Sequence, residues 1–538
     1  LYAPSATIVH RGAQSFGQVF AAVKQRMFNA SMLAYFRKWH PGWRTTLLRA
    51  VSVPNLAVAW FLDVSRRPGW TWLPWLMAIL ALEISSLASI FTFLPRVVLT
   101  VLAGCLMLAV AWRRPSLGLA ALLLELAIGS KGALLKIPDG WEVDGGIPLR
   151  IVLFGALCSG WIANAVAHWR TRLPELRSSL RSVLRDRLPW IALAALIGWA
   201  VVRGAWRGNE ALFGDANAWA YLLLLFPVVD IATRDGARLI RQASDAFVAA
   251  LVWLPVKTLL LLYVWSHGIR SLSQPLYLWV RRTGVGEVTL VTGNLFRVFI
   301  QSQVYAIIGL LASTMRIVDG TKDRFRILAI FVAIGSSLSL LISLSRSLWV
   351  GLIAGVSSVF LLTLFVPWSK PLFPITTNRM TGVRALTVVV ASFVCGLTLI
   401  GAVVAFPYPH VDVGSLKTLF SSRSGVSDAA AESRWNLLPV LGDKILEAPL
   451  LGSGFGATVT YASKDPRILA QHPDGMYTTY AYEWGWLDHW IKFGILGIPV
   501  MLWLLLSIIR RVWIADGERW LRVGLVSSLV ALGTLHVF

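Results

Sequence analysis

The chain has 538 residues, of which 56% are hydrophobic and only 14% charged. An ordinary soluble domain, with about a quarter of its residues charged, is thereby excluded. A net charge of +23 would point to nucleic acid in a soluble protein, but here the basic residues sit mostly in short connections between apolar runs, which is the pattern of cytoplasmic loops and of contact with anionic lipid.

Apolar runs of about 20 residues recur along the chain, each long enough to cross a hydrocarbon core as a helix. Runs such as LAIFVAIGSSLSLLISLS do not alternate, so a β-barrel is excluded. Residues 1–70 carry Arg11, Lys24, Arg26, Arg37, Lys38, Arg44, Arg49, Arg66 and Arg67 among aromatics, with Asp63 the one acidic residue. They are read as a basic cytoplasmic arm, partly amphipathic helix on the inner leaflet, and Arg49 and Pro54 argue against a further span near 45–62. Spans follow at about 71–93, 97–112, 115–135, 147–168, 188–204, 216–232, 245–266, 298–315, 327–344, 347–368, 385–405, 488–509 and 523–538.

The expected architecture is therefore an all-α polytopic membrane protein of about 12–13 transmembrane helices: the arm, eleven spans over 71–405, a large loop over 406–487 containing short helices, and the last spans over 488–538. The chain begins at Leu1 and stops at Phe538 inside an apolar run, so its C-terminus is expected to be truncated. With the arm inside, alternate connections carry Arg113 and Arg114; Arg170 to Arg187; Arg234, Arg238 and Arg241; Arg316 to Arg326; Lys370 to Arg384; and Arg510 to Arg522. All six are basic, which puts the large loop on the outer, periplasmic side of a bacterial inner membrane. Lys131, Arg150, Arg281, Arg282, Arg297 and Arg346 lie at outer ends, against that bias, and call for another cause.

Cys105, Cys158 and Cys395 all fall in apolar runs, so a disulfide framework and a zinc site are excluded. No P-loop, HExxH or Asp-x-Asp occurs, and Gly452-Ser453-Gly454-Phe455-Gly456 lacks both the Rossmann spacing and the preceding strand. No cofactor or metal is expected. Arg346, at the outer end of two adjacent spans, suits a diphosphate because its fork stays charged; the plainer reading is an arginine snorkelling to the interface. Arg434 is either a surface arginine paired with Glu432 or Asp428, or a second phosphate ligand. Gly452, Gly454 and Gly456 either make a turn or present backbone N–H groups to phosphate or sugar. His472, Glu483, Asp488 and His489 crowd the return to the membrane, where one of them would take a proton from an attacking hydroxyl. Glu83 and Glu125 fall inside spans, where carboxylates are expensive, and Glu125 is expected to pair with Lys131 or an arginine across the bundle.

LSRSLWVGLIAG (344–355) resembles the SR-x-x-x-x-G segment of the O-antigen ligase and polymerase family. SRWNLLPVLGDKILEAPLLGSGFGA (433–457) resembles that family's loop, and WIKFGILGIPVMLWLLL (490–506) the span after it. The resemblance implies an inverting, metal-independent membrane glycosyltransferase of the GT-C type. Its donor would be a glycan on undecaprenyl diphosphate, and its acceptor a glycan or glycolipid at the periplasmic face. Carried over by motif, Arg346 and Arg434 would bind the diphosphate. Where the ligases place a His, eleven residues before the glycine that opens the next span, this chain has Glu483, counted from Gly494. The base is therefore expected to be Glu483, then His489, then His472, with Glu483 partly desolvated beside Trp484 and Trp486. The competing readings are a flippase or other transporter, and a non-catalytic membrane subunit of an envelope complex.

Overall fold

The computed structural model describes residues 21–65, 67, 69–139, 142–168, 188–320, 325–365, 378–407, 429–464, 466–470 and 472–536. The basic loop at 170–187 and residues 408–428, with His410 and Asp428, lie outside the described residues. The chain divides into two compact units, one ending at Ala78 and one running from Ile79 to Phe538.

The first unit is a helical hairpin of α1 (Ala21–Trp39) and α2 (Trp43–Ser65), followed by the start of α3 (Leu73–Ser89). The chain reverses through Gly42, whose φ of +102° favours a residue without a Cβ. Asp63 is buried and accepts the backbone N–H of Ala22 at 2.7 Å, while Asn29 Nδ2 donates to the Ser52 carbonyl at 2.9 Å. The arm is thus more helical than expected: α2 runs unbroken through Arg49 and Pro54. It is not among the helices long and apolar enough to cross a membrane.

The second unit is an apolar helical bundle. Its elements, in order, are the end of α3, α4 (Phe93–Arg113), α5 (Pro115–Ile128), the hairpin β1 (Lys136–Asp139) and β2 (Glu142–Pro148), α6 (Leu149–Ala167), α7 (Leu188–Trp206), α8 (Leu212–Ala216), a 3-10 segment (Asn217–Leu224), α9 (Leu225–Ser266) and α10 (Arg270–Arg282). Then come the hairpin β3 (Gly286–Thr292) and β4 (Leu295–Ile300), α11 (Val304–Val318), α12 (Phe325–Ser343), α13 (Arg346–Phe365) and α14 (Asn378–Ala405). The loop contributes α15 (Ala429–Glu447), β5 (Val459–Ala462), the four-residue α16 (Pro466–Leu469) and β6 (Met476–Thr479). The chain closes with α17 (Gly485–Phe493), α18 (Gly497–Ile514) and α19 (Arg519–Leu535). Among the described residues eight helices are long and apolar enough to span a membrane, which makes this an all-α polytopic membrane protein.

Three sequence expectations are revised. Spans 216–232 and 245–266 are joined without a loop: the helix continues from Leu225 to Ser266 and breaks only at Asp235 (φ −141°, ψ 37°). Its contacts show that the chain reverses there. Tyr221 stacks edge-on to Phe154 near the start of α6, Trp161 Nε1 donates to Asp230 at 2.7 Å, and Ser116, at the start of α5, donates to Asp235 at 3.4 Å. The second arm climbs back past Tyr305 to His267, which bonds the Phe406 carbonyl where the large loop begins. The span at 488–509 is interrupted at Gly494 (φ +75°), so the short α17 is separate from α18. Among the described residues three antiparallel strand pairs, one of them covering the expected start of the span at 298–315, decorate the bundle.

Both intramembrane carboxylates are paired. Glu83 accepts from Lys257 Nζ at 2.6 Å and Trp253 Nε1 at 2.8 Å, and Glu125 accepts from Arg150 Nε at 2.7 Å. All but Trp253 and Arg150 are fully buried, and a charge so placed is tolerated only with its partner. The pairing accounts for Arg150 at an outer end. Arg281 is accounted for by Glu287 at 2.9 Å.

Candidate functional site

The corner between α12 and α13 carries Arg346. Leu344 adopts a left-handed backbone (φ +44°) that turns the chain in two residues, and the Ser343 hydroxyl accepts the Ser345 N–H at 3.3 Å. Arg346 is the first residue of α13 and is exposed. The β3–β4 hairpin brings a second arginine to this corner: Arg297 Nε donates to the Ser343 carbonyl at 2.7 Å, its guanidinium 5.0 Å from the Phe299 ring centre. Arg297 was noted in the sequence only as an outer exception; the hairpin that places it here was not foreseen.

The large loop has its own small core. Leu437 and Leu441 of α15 pack with Ala457, Val459, Tyr482 and Ile491, and Tyr482 OH donates to the Ala457 carbonyl at 2.6 Å. On this core the return segment lies against α15, and two adjacent residues of each meet. Arg434 Nε donates to a Glu483 carboxylate oxygen, and Trp435 meets Trp484 with ring centres 5.9 Å apart at 60°. Trp484 Nε1 donates to the Arg434 carbonyl at 3.2 Å and ties the two pairs together. The partner of Arg434 is therefore Glu483; Glu432 pairs with Lys464 at 2.5 Å. Glu483 is 56% exposed, so the desolvation expected from its tryptophan neighbours is absent. Trp435 stands in the loop motif next to Arg434 in the sequence, which gave it no role of its own.

The two histidines go elsewhere. His472 is exposed in the turn before β6, and among the described residues no contact joins it to Arg434 or Glu483. His489 is buried on α17, its Nε2 2.8 Å from Nε2 of His536 at the end of α19 and its ring among Trp219, Trp486 and Phe493. Burial lowers it to about 3, with His536 and Lys492 adding to the effect.

Beside it lies an ionic cluster that the sequence did not disclose. Lys492 Nζ sits 2.6 Å from Asp215 and 2.7 Å from Asp488, all three being well buried. Burial raises Asp488 to about 6 against the pull of Lys492. The other oxygen of Asp215 accepts the Gly456 N–H at 2.8 Å, so one side chain from α8 holds both α17 and the glycine turn.

That turn is packed inside the protein. Gly452, Gly454 and Gly456 are buried with φ of +72°, +80° and +75°. A Cβ on Gly454 would stand 2.3 Å from the Gly204 nitrogen of α7, and one on Gly494 would stand 2.2 Å from the Leu450 carbonyl. Gly452 N donates to Ala448 O at 2.9 Å, Ser453 N to Ile491 O at 2.6 Å and Phe455 N to Ala200 O at 3.0 Å. Asn209 Nδ2 caps the Ser453 and Phe455 carbonyls at 3.1 and 2.8 Å. In this arrangement the glycines join the loop to α7 and α17, and the N–H groups of residues 452, 453, 455 and 456 already have protein acceptors.

Residues 329–502 match the family model described as O-antigen ligase. No curated protein and no solved structure matches the chain. The matched segment contains Arg346, Arg434, the glycine turn, Glu483 and Lys492, and over that segment, about a third of the chain, this protein is similar to the O-antigen ligase family.

Proposed function

We propose that this protein transfers a glycan from undecaprenyl diphosphate to a glycan or glycolipid acceptor at the periplasmic face of a bacterial inner membrane, inverting the anomeric carbon without a metal. The observation that carries this reading is the pairing of Arg434 with Glu483 across the loop, because it joins a diphosphate ligand to a proton acceptor at one exposed spot. The acceptor hydroxyl oxygen attacks the anomeric carbon. The bond from that carbon to the diphosphate oxygen breaks, its electron pair leaving with the diphosphate. The hydroxyl proton passes to the Glu483 carboxylate and then to solvent. Arg346 and Arg434 stabilise the charge on the departing diphosphate, the part a divalent cation plays elsewhere. Donor binding draws the Arg434 guanidinium toward the diphosphate and frees Glu483 for the hydroxyl. The glycine turn enters by fixing the loop against α7 and α17.

The test is Glu483→Gln, which keeps the shape and removes the basicity. Transfer from a purified undecaprenyl-diphosphate glycan should fall about tenfold or more, with donor binding intact and a shifted pH–rate profile. Normal turnover in Glu483→Gln with loss in His489→Ala would move the role to His489. Normal turnover in both would leave diphosphate stabilisation to carry the reaction.

A further inference from the structure

Trp435 is 56% exposed, beside an exposed ion pair. An open indole offers a flat apolar face with a polar edge, which is why tryptophan is enriched where proteins meet their partners. Trp484, behind it, is engaged through its Nε1 with the Arg434 carbonyl and packs on the loop core, so it holds its orientation. The result is a flat apolar face bordered by a guanidinium and a carboxylate. Both charged groups lie one residue away on the same two segments.

That combination matches one chemistry. A pyranose has an apolar face of C–H groups and a rim of hydroxyls. The face lies on an aromatic ring, and the rim bonds to charged donors and acceptors beside it. A peptide or an acyl chain would need an extended apolar groove and would leave the ion pair without a partner. Resting on the reading of Arg434 and Glu483 as the active centre, we infer that Trp435, backed by Trp484, is the platform on which the acceptor's terminal sugar lies. The sugar's attacking hydroxyl is thereby held beside Glu483.

The experiment uses the full chain in detergent, with an undecaprenyl-diphosphate-linked polysaccharide as donor and rough lipopolysaccharide as acceptor. Trp435→Ala should raise the acceptor KM about tenfold or more, with the donor KM within about twofold of wild type. Trp435→Tyr should restore most of the loss. Trp435→Leu keeps apolar bulk against Trp484 but removes the flat face. A platform predicts that it fails as Ala does, whereas a packing role predicts that it works as wild type does. Normal transfer by wild type with an unimpaired Trp435→Leu, or an equal rise in both KM values, overturns the platform alone. A wild type that transfers nothing to this or any glycan acceptor overturns the glycosyl-transfer reading, and the platform with it.

Discussion

Lys492 is the side chain whose removal should damage the loop most. It is held 2.6 Å from Asp215 and 2.7 Å from Asp488, with 5% of its own side chain, 6% of Asp215 and 16% of Asp488 exposed. Lys492→Met would fill the space but leave two carboxylates buried against one another. Breaking a buried pair in this way costs about 3–5 kcal/mol. Asp215→Asn is milder, because Lys492 keeps Asp488 and the amide oxygen still accepts the Gly456 N–H; it should cost about 1–2 kcal/mol. The triple variant Asp215→Asn, Asp488→Asn, Lys492→Met removes every charge and should recover most of the loss. Thermal unfolding in detergent, followed by intrinsic fluorescence, gives the order: wild type and triple variant highest, Asp215→Asn between, Lys492→Met lowest. A Lys492→Met protein as stable as wild type, or a triple variant worse than Lys492→Met, would refute the account of the cluster as a charge-paired clamp.

Three further outcomes are expected. Arg346→Ala and Arg434→Ala, normally expressed, should each slow transfer roughly 30- to 1,000-fold, equivalent to about 2–4 kcal/mol of transition-state stabilisation. Lysine at either position should rescue only partly because the fork is lost; full activity in both alanine variants would remove the site assignment. With Cys105, Cys158 and Cys395 replaced by serine, a cysteine substituted for the exposed Asp474 should react with an impermeant maleimide in intact cells. A cysteine substituted for Asp516 should react only after permeabilisation, and the reverse pattern would invert the topology. Stability should change little with pH between about 4 and 6, because two buried groups oppose one another there. His489, at about 3 rather than 6.5, holds fewer protons folded than unfolded, so its contribution is complete above 6.5 and lost toward 3. Asp488, near 6 rather than 3.8, holds more protons folded than unfolded between about 4 and 6 and nearly cancels that slope. His489→Phe should therefore leave a melting temperature that falls as the pH rises from about 4 to 6, and an unchanged profile would exclude His489 as the opposing group.

The spans were legible because lipid imposes one local rule: every backbone polar group must be satisfied within the segment, so apolar length alone marks a helix. Where a second element supplies the partner, that rule says nothing. Asp235 and Gly236 offered a reversal, yet the basic residues around them suggested a loop, and the helix instead turns back within a residue or two. The β3–β4 hairpin carries a period-two pattern, GEVTLVTGNLFRVFI, around a Gly-Asn turn, and it was overlooked because its second half is as apolar as a span. The pairing of Glu125 with an arginine was foreseen; that of Glu83 with Lys257 was not, since their separation of 174 residues leaves no trace in local pattern.

The site divides along the same line. Arg434 and Glu483 stood out because each breaks a trend or fills a motif position, and 49 residues separate them in the chain. That they touch depends on the glycine turn, which draws the loop down onto α7 and α17, and on Asp215, which fixes the turn and α17 together. Asp215 lies in α8, far outside the segment 329–502. Nothing in its neighbourhood suggests a buried anion, whereas the glycines suggested phosphate. The order of causes is therefore the reverse of the sequence reading. The glycines are needed for backbone approach, the approach sets where the return segment leaves the membrane, and that exit brings Glu483 and Trp484 to Arg434 and Trp435. A polar group whose partner comes from another element has a role that only the assembled bundle reveals.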